Sequence, residues 1–197
     1  MVVKICGITT ADDAIAAAAA GATAVGFNFY PRSPRYVRPD QAREIARLLP
    51  PQVLKVGVFV DEPAAGVAEV IRLAGLDVVQ LHGGEYPAGA RIWAAFQAGA
   101  PGLSETLAGT RVEAFLIDTP SRDLRGGTGR TFDWSLAAGL PGRIVLAGGL
   151  DDENVREAIR TARPWGVDAC SRLECAPGRK DHEKMRRFVQ AALIEES

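Results

Sequence analysis

Two residues able to move protons stand at matching places in separate stretches of the chain: Cys6 in "KICGIT" and Asp118 in "AFLIDT" each close a short apolar run. A thiolate is a base and a nucleophile, and a carboxyl group carries or accepts a proton, so a cavity between the two would suit acid/base work. Each also has a plain reading, because a buried Cys commonly serves as a small hydrophobe and an Asp at a strand end as a cap. Groups suited to holding a ligand lie in other stretches. Arg35 sits in the proline-stiffened "YPRSPRYV", a place fit for bidentate capture of a carboxylate or phosphate, with a solvated loop arginine as the alternative. His82 in "VQLHGGE" suits a binding or supporting role, and no second His or carboxylate cluster joins it to make a metal site. The glycines of "RGGTGRTFDW", including Gly127, and Gly148 and Gly149 of "LAGGL" just before a helix start would let backbone N–H groups approach an anion; glycine loops are also plain turns.

The elements that must position these groups repeat regularly. Eight short, mostly apolar stretches read as strands buried on both faces: "VVKIC", "TAVGFNF", "VLKVGVFV", "DVVQL", "RIWAAF", "EAFLID", "RIVLAGG" and "GVDACS". Helical patterns with readable ends lie between most of them. Thr9 and Thr10 precede Asp12 and Asp13 as near capping boxes and Gly21 closes that helix, Asp61 and Pro63 open a third, and Asp151 opens another. Eight such units in 197 residues predict an α/β fold, a single-domain (β/α)8 TIM barrel over residues 1–197. The fourth and fifth units are shortened, since "GGEYPAGA" and "QAGAPGLSETLAG" leave little room for helices. A doubly wound sheet is the runner-up, and it lacks the G-x-G-x-x-G turn a dinucleotide fold needs after its first strand.

In such a barrel alternate strand residues face inward and chemistry gathers at the C-terminal ends. With Val3 and Ile5 outward, the phase turns Val2, Lys4 and Cys6 inward, and likewise Gln80, His82, Asp118 and Asp168. Lys4 and Asp168, on the first and last strands, then form a buried ion pair one layer below Cys6. A net charge of −1 removes the electrostatic signature of a nucleic-acid binder, and no apolar run is long enough to span a bilayer, so neither nucleic acid nor membrane is an expected partner. The start "MVVKICGITT" shows no basic segment followed by an apolar one, so a cytoplasmic protein is expected, and three cysteines at these spacings imply free thiols.

The ordered set "KICGIT", "GFNFYPRSPRYV", "VGVFVD", "VQLHGGE", "FLIDT", "GGTGRTFDW", "LAGGL" and "PGRKD" resembles phosphoribosylanthranilate isomerase of tryptophan biosynthesis over essentially the whole chain. The resemblance implies a barrel that needs no cofactor or metal, a small phosphosugar substrate, and an Amadori rearrangement of N-(5-phosphoribosyl)anthranilate to a 1-deoxyribulose 5-phosphate. It implies Cys6 as general base at ribose C2, Asp118 as general acid at the furanose oxygen, Arg35 on the anthranilate carboxylate, and a phosphate cradle around Gly148, Gly149 and Ser171. Assembly is expected as monomer or homodimer.

At reference pKa values only about 3% of a thiol and about 0.1% of an aspartic acid are in the working form at pH 7. The barrel is therefore expected to lower the one, through a cation such as Lys4, or raise the other by desolvation. "DACSRLE" departs from the family's D-x-S-S-G-x-E, with Cys170 for the first serine and Arg172 for the glycine. Arg172 there either offers its charge to the phosphate or strains a backbone meant for glycine. The related isomerase of histidine biosynthesis would carry an aspartate in place of Cys6, and a barrel that only binds phosphosugars would not need both Cys6 and Asp118.

Overall fold

The alternation of apolar strand and capped helix closes on itself. A computed structural model describes residues 1–120 and 131–194. Its strands β1 (Val2–Ile5), β2 (Ala24–Asn28), β3 (Leu54–Val60), β4 (Val78–His82), β5 (Ile92–Gln97), β6 (Ala114–Asp118), β7 (Ile144–Leu146) and β8 (Gly166–Ala169) form a closed barrel in chain order. Every neighbouring pair is parallel, and closure is made by the β1–β8 ladder from Val2 opposite Gly166 to Ile5 opposite Ala169. The fold is thus the expected (β/α)8 barrel.

The helices form where caps and propensity agree. In α1 (Ala11–Ala20) the Thr10 hydroxyl accepts from Asp13 N–H at 3.2 Å, and Gly21 ends the helix at φ 99°. Pro39 opens α2 (Pro39–Ala46), and Pro63, rather than Asp61, occupies the cap of α3 (Ala64–Ala74). Helix α5 (Val155–Ala162) begins later than the sequence suggests, because Asp151 caps a preceding turn by accepting from Glu153 and Asn154 N–H. Asp181 accepts from Glu183 and Lys184 N–H to start α6 (His182–Leu193).

The wall is thin where expected. Residues 83–91 join β4 to β5 with turns in place of a helix, and α4 (Leu103–Gly109) is a seven-residue helix between β5 and β6. Between β6 and β7 the helical structure among the described residues is one 3-10 turn, Trp134–Ala137. A feature the strand pattern did not signal is the antiparallel hairpin β9 (Glu174–Ala176) and β10 (Arg179–Lys180), set between β8 and α6. Asp13 of α1 ties it down by accepting from Lys180 N–H at 3.1 Å while contacting His182 Nε2 at 2.8 Å.

Two apolar cores result. Val3, Ile5, Val79, Leu81, Ile117 and Leu146 face outward against the helices. Ala24, Val56, Val78, Trp93, Ala114, Leu116 and Val145 fill the lower barrel interior, with Val2 and Trp165 packed against them. Trp93 and Trp165 meet edge to face at 5.8 Å and floor the barrel. Among the described residues no helix is long and apolar enough to cross a membrane.

Candidate active site

The polar exceptions to the strand pattern meet at the opposite end. Lys4 pairs in register with Asp168, and its ammonium donates to Asp168 Oδ1 at 2.9 Å with no solvent exposure. One residue on, β1 stops. Cys6 N–H donates to Ala169 C=O at 2.9 Å, and Gly7 then turns the chain at φ 74°. A Cβ at position 7 would lie 2.6 Å from Arg35 Cδ and 2.9 Å from Cys170 Sγ, so glycine after Cys6 serves both the turn and the close approach of these side chains. On β2, Gly26 leaves room for the thiol, since a Cβ there would come within 2.8 Å of Cys6 Sγ.

Asp118 ends β6 in the same manner. Its Oδ1 accepts from Thr119 N–H at 2.7 Å, and Gly148, at φ 89°, yields space that a Cβ would take within 2.9 Å of that oxygen. Cys6 and Asp118 open on one cavity of about 320 Å³ at the C-terminal ends of the strands. Arg35, His82, Gly148, Gly149, Ser171 and Arg172 line it as well, as do Gln80, Asp168 and Cys170. Of the residues singled out in the sequence, Gly127 lies outside the described residues.

Burial governs the electrostatics. Desolvation pushes the Asp118 carboxyl above the usual aspartate range, against the pull of Thr119 N–H and Lys4. Asp168 is pushed up by burial to about 7, with Lys4 working against it. Burial also opposes the Lys4 charge, but Asp168 and Cys6 outweigh it and hold the ammonium above the ordinary lysine range. Of the two shifts expected, the raised Asp118 carboxyl is found and the lowered Cys6 thiol is not. Lys4 does pull that thiol down, yet contact with Cys170 and then burial prevail, and the Cys6 thiol stands well above its ordinary value. The partner moves the other way: the Cys6 thiol foremost, with Lys180 and Arg35, brings Cys170 down to about 6 against burial. The two thiols of this pair are thus shifted in opposite directions.

Arg35 is held rather than loose. Its Nε and Nη2 donate to the two carboxylate oxygens of Glu174 at 2.8 Å each, and Glu174 in turn accepts from buried Lys180 Nζ at 3.0 Å. Burial alone would raise the Glu174 carboxyl, but Arg35 and Lys180 hold it below the usual range. Lys180 also donates to Cys170 C=O at 3.1 Å. This chain of charges from Arg35 to the hairpin is what residue-by-residue reading missed; its signal was the glutamate of "DACSRLE" and the lysine of "PGRKD", three-dimensional neighbours that sequence spacing does not pair. Gln80 Nε2 and His82 Nε2 lie 2.9 Å apart, which makes each ring and amide orientation depend on the other. Arg172 does not strain its backbone, since Asp61 and Arg163 are the non-glycine residues with positive φ among those described. It lies in a 3-10 turn, Ser171–Leu173, with Nε 2.8 Å from Asp151 Oδ2.

A parallel eight-stranded barrel with a buried carboxyl of raised pKa and a thiol pair over one small cavity, beside glycine turns, has the make-up of an acid/base enzyme of the phosphosugar-binding barrel class. The family model described as N-(5'phosphoribosyl)anthranilate (PRA) isomerase matches residues 3–191, and the chain belongs to that family. The N-(5'-phosphoribosyl)anthranilate isomerase of Solibacter usitatus (strain Ellin6076) is 50% identical over 196 residues, 98% of this chain and 97% of that one. The crystal structure of phosphoribosyl anthranilate isomerase from Thermotoga maritima superposes with a TM-score of 0.88 at 40% identity, covering 98% of each chain; another structure is of monomers of that dimeric enzyme. A phosphoribosyl anthranilate isomerase solved in complex with reduced 1-(o-carboxyphenylamino)-1-deoxyribulose 5-phosphate gives 0.84 at 39% identity, again over 98% of each. The chain is accordingly an isomerase of tryptophan biosynthesis, acting on a small molecule.

Proposed function

We propose that the isomerisation of N-(5'-phosphoribosyl)anthranilate in this chain is carried by Asp118 as general acid and Cys6 as general base. Asp118 protonates the furanose ring oxygen, the ring opens to a Schiff base, and Cys6 removes the proton from ribose C2 so that the double bond migrates and the ketose forms. The single observation behind this is that a carboxyl group whose pKa burial raises shares a cavity with the Cys6 thiol. General acid/base groups work best when their pKa approaches the operating pH, and burial moves Asp118 in that direction. Cys6 must lose its own proton before it can act as a base, and Lys4 is the cation that favours this.

Arg35 takes the anthranilate carboxylate. Glu174 occupies its Nε and Nη2, which orients the guanidinium and leaves Nη1 as donor. Gly148, Gly149 and Ser171 form the phosphate cradle, with Arg172 adding positive charge at its edge and His82, braced by Gln80, lining the sugar side. Residues 1–197 are read as one barrel domain, working as monomer or homodimer in the cytoplasm, where free thiols such as exposed Cys175 persist. The test is turnover of phosphoribosylanthranilate, followed through loss of its fluorescence. Turnover that disappears in both Cys6→Ser and Asp118→Asn proteins of native fold is the expected result; silence from well-folded wild-type protein overturns the reading.

A further inference from the structure

Cys6 and Cys170 are neighbours by strand register. Ile5 and Ala169 make the last paired rung of β1 and β8, and Cys6 N–H reaches back to Ala169 C=O, so the next residue on each strand stands beside the other at the rim. Parallel neighbours lie about 4.8 Å apart along the hydrogen-bonding direction, inside the Cα separation of about 4.4–6.8 Å over which a disulfide closes without backbone movement. Their thiols interact directly, and Gly7 keeps the space around Cys170 Sγ clear. Both open on the cavity, within reach of a small oxidant. Lys180 Nζ stands 3.8 Å from Cys170 Sγ, a cation placed to favour the thiolate, the form that reacts with peroxides. The third cysteine, Cys175, is exposed on the hairpin with its Sγ toward the Arg179 and Lys180 carbonyls.

We propose that Cys6 and Cys170 are a redox modification site, forming a reversible disulfide when the enzyme meets a peroxide. The Cys170 thiolate attacks one peroxide oxygen, the O–O bond breaks, and hydroxide leaves a sulfenic acid on Cys170. The Cys6 sulfur then attacks the sulfenic sulfur; its proton leaves with the displaced hydroxyl as water, and the S–S bond forms. One thiol, one thiolate and one hydrogen peroxide yield one disulfide, one water and one hydroxide. A dithiol reductant reverses the bond by exchange. In physical terms, Cys170 reacts first and Cys6 resolves it, which diverts the site from irreversible sulfinic acid. That the bond stops catalysis rests on Cys6 as the base; that it forms does not.

The experiment treats Cys175→Ser protein with hydrogen peroxide, alkylates remaining thiols, and maps peptides by mass, with isomerase activity measured before and after dithiothreitol. The expected result is a cross-linked pair of peptides holding Cys6 and Cys170, loss of both alkylatable thiols, and activity lost on oxidation and regained on reduction. Cys170→Ser protein treated in parallel lacks the thiolate that reacts first, so the same peroxide exposure should leave Cys6 alkylatable and whatever activity this variant has unchanged. Should Cys175→Ser fail to fold, the same mapping on wild-type protein separates a Cys6–Cys170 link from any link to Cys175. Thiols that stay alkylatable, a link to Cys175, or Cys6 oxidised to sulfinic acid without a cross-link overturns the proposal. A cross-linked enzyme that keeps full activity upholds the disulfide and removes Cys6 from the role of base.

Discussion

The same strands build two ends of the barrel that have little in common. At the floor β1, β4 and β6 contribute Val2, Val78 and Ala114, packed with Trp93 and Trp165. Two residues further along stand Lys4, Gln80 and Leu116, and two further again Cys6, His82 and Asp118. Inward phase is constant along each strand; what changes is height. Apolar area removed from water stabilises the lower end by about 25 cal/mol per Å², whereas the upper end holds a buried ion pair of little net stabilising value and an unpartnered Gln80 Oε1. The floor thus stabilises a mouth whose polar groups, costly to bury, are the ones to which the proposed chemistry is assigned.

The comparison breaks most plainly if either end does the other's work. Asp118→Asn keeps the side chain's size and its site but cannot carry the proton, so kcat should fall by about 10²–10⁴-fold with a denaturation midpoint no lower than that of the wild type. The wild-type rate should also fall on the alkaline side as Asp118 ionises, at a pH above the ordinary aspartate range because burial raises its carboxyl. A large loss of stability in this variant would make Asp118 part of the scaffold. Trp93→Ala is the converse test. Its indole is fully buried, and removal should cost about 3–5 kcal/mol in urea unfolding while the folded fraction keeps its kcat/KM.

The middle layer can be followed by titration. Burial raises Asp168 to about 7, so between the ordinary aspartate range and about 7 the folded protein keeps a proton that the unfolded chain has released. Folded protein then binds more protons, and stability declines as pH rises through that window, by at most about 1.4 kcal/mol per pH unit. Asp118, shifted the same way, adds to the decline. Chemical denaturation from pH 4 to 8 measures it, and Asp168→Asn should flatten the curve; stability that climbs across the window would show the Lys4 charge winning over burial.

What could be read from the sequence follows from the same division. Period-two alternation and capped helices are local signals, so all eight strands and the inward phase of Lys4, Cys6, Gln80, Asp118 and Asp168 were legible before any coordinates. Partnerships between distant segments were legible only where closure of the barrel implied them, as for Lys4 and Asp168. The direction of the Cys6 shift was not legible, because Cys170 outweighs Lys4 there and its place beside Cys6 depends on the β1–β8 register continuing past the last paired residues. The hairpin that brings Glu174 and Lys180 to Arg35 has two- and three-residue strands, too short to show a period. Helix α5 starts late because an Asp can cap a turn as well as a helix, and residue type alone does not choose between them.

The smallest expected effect lies at the outer edge of the floor. The Arg143 guanidinium sits 5.3 Å from the centroid of Trp165, the ring that meets Trp93 edge to face. An exposed cation over an indole contributes about 0.5–1 kcal/mol, so Arg143→Gln should lower the urea midpoint slightly. The cavity and the groups proposed to do the chemistry stand at the other end of the strands, with the apolar interior between. Arg143 is itself exposed, so removing its charge takes no atom out of that packed interior. Arg143→Gln should therefore leave kcat, KM and the alkaline limb of the pH profile where they are in the wild type. A change in KM or in that limb, with stability barely altered, would mean that the floor and the mouth are coupled through the barrel interior rather than simply stacked.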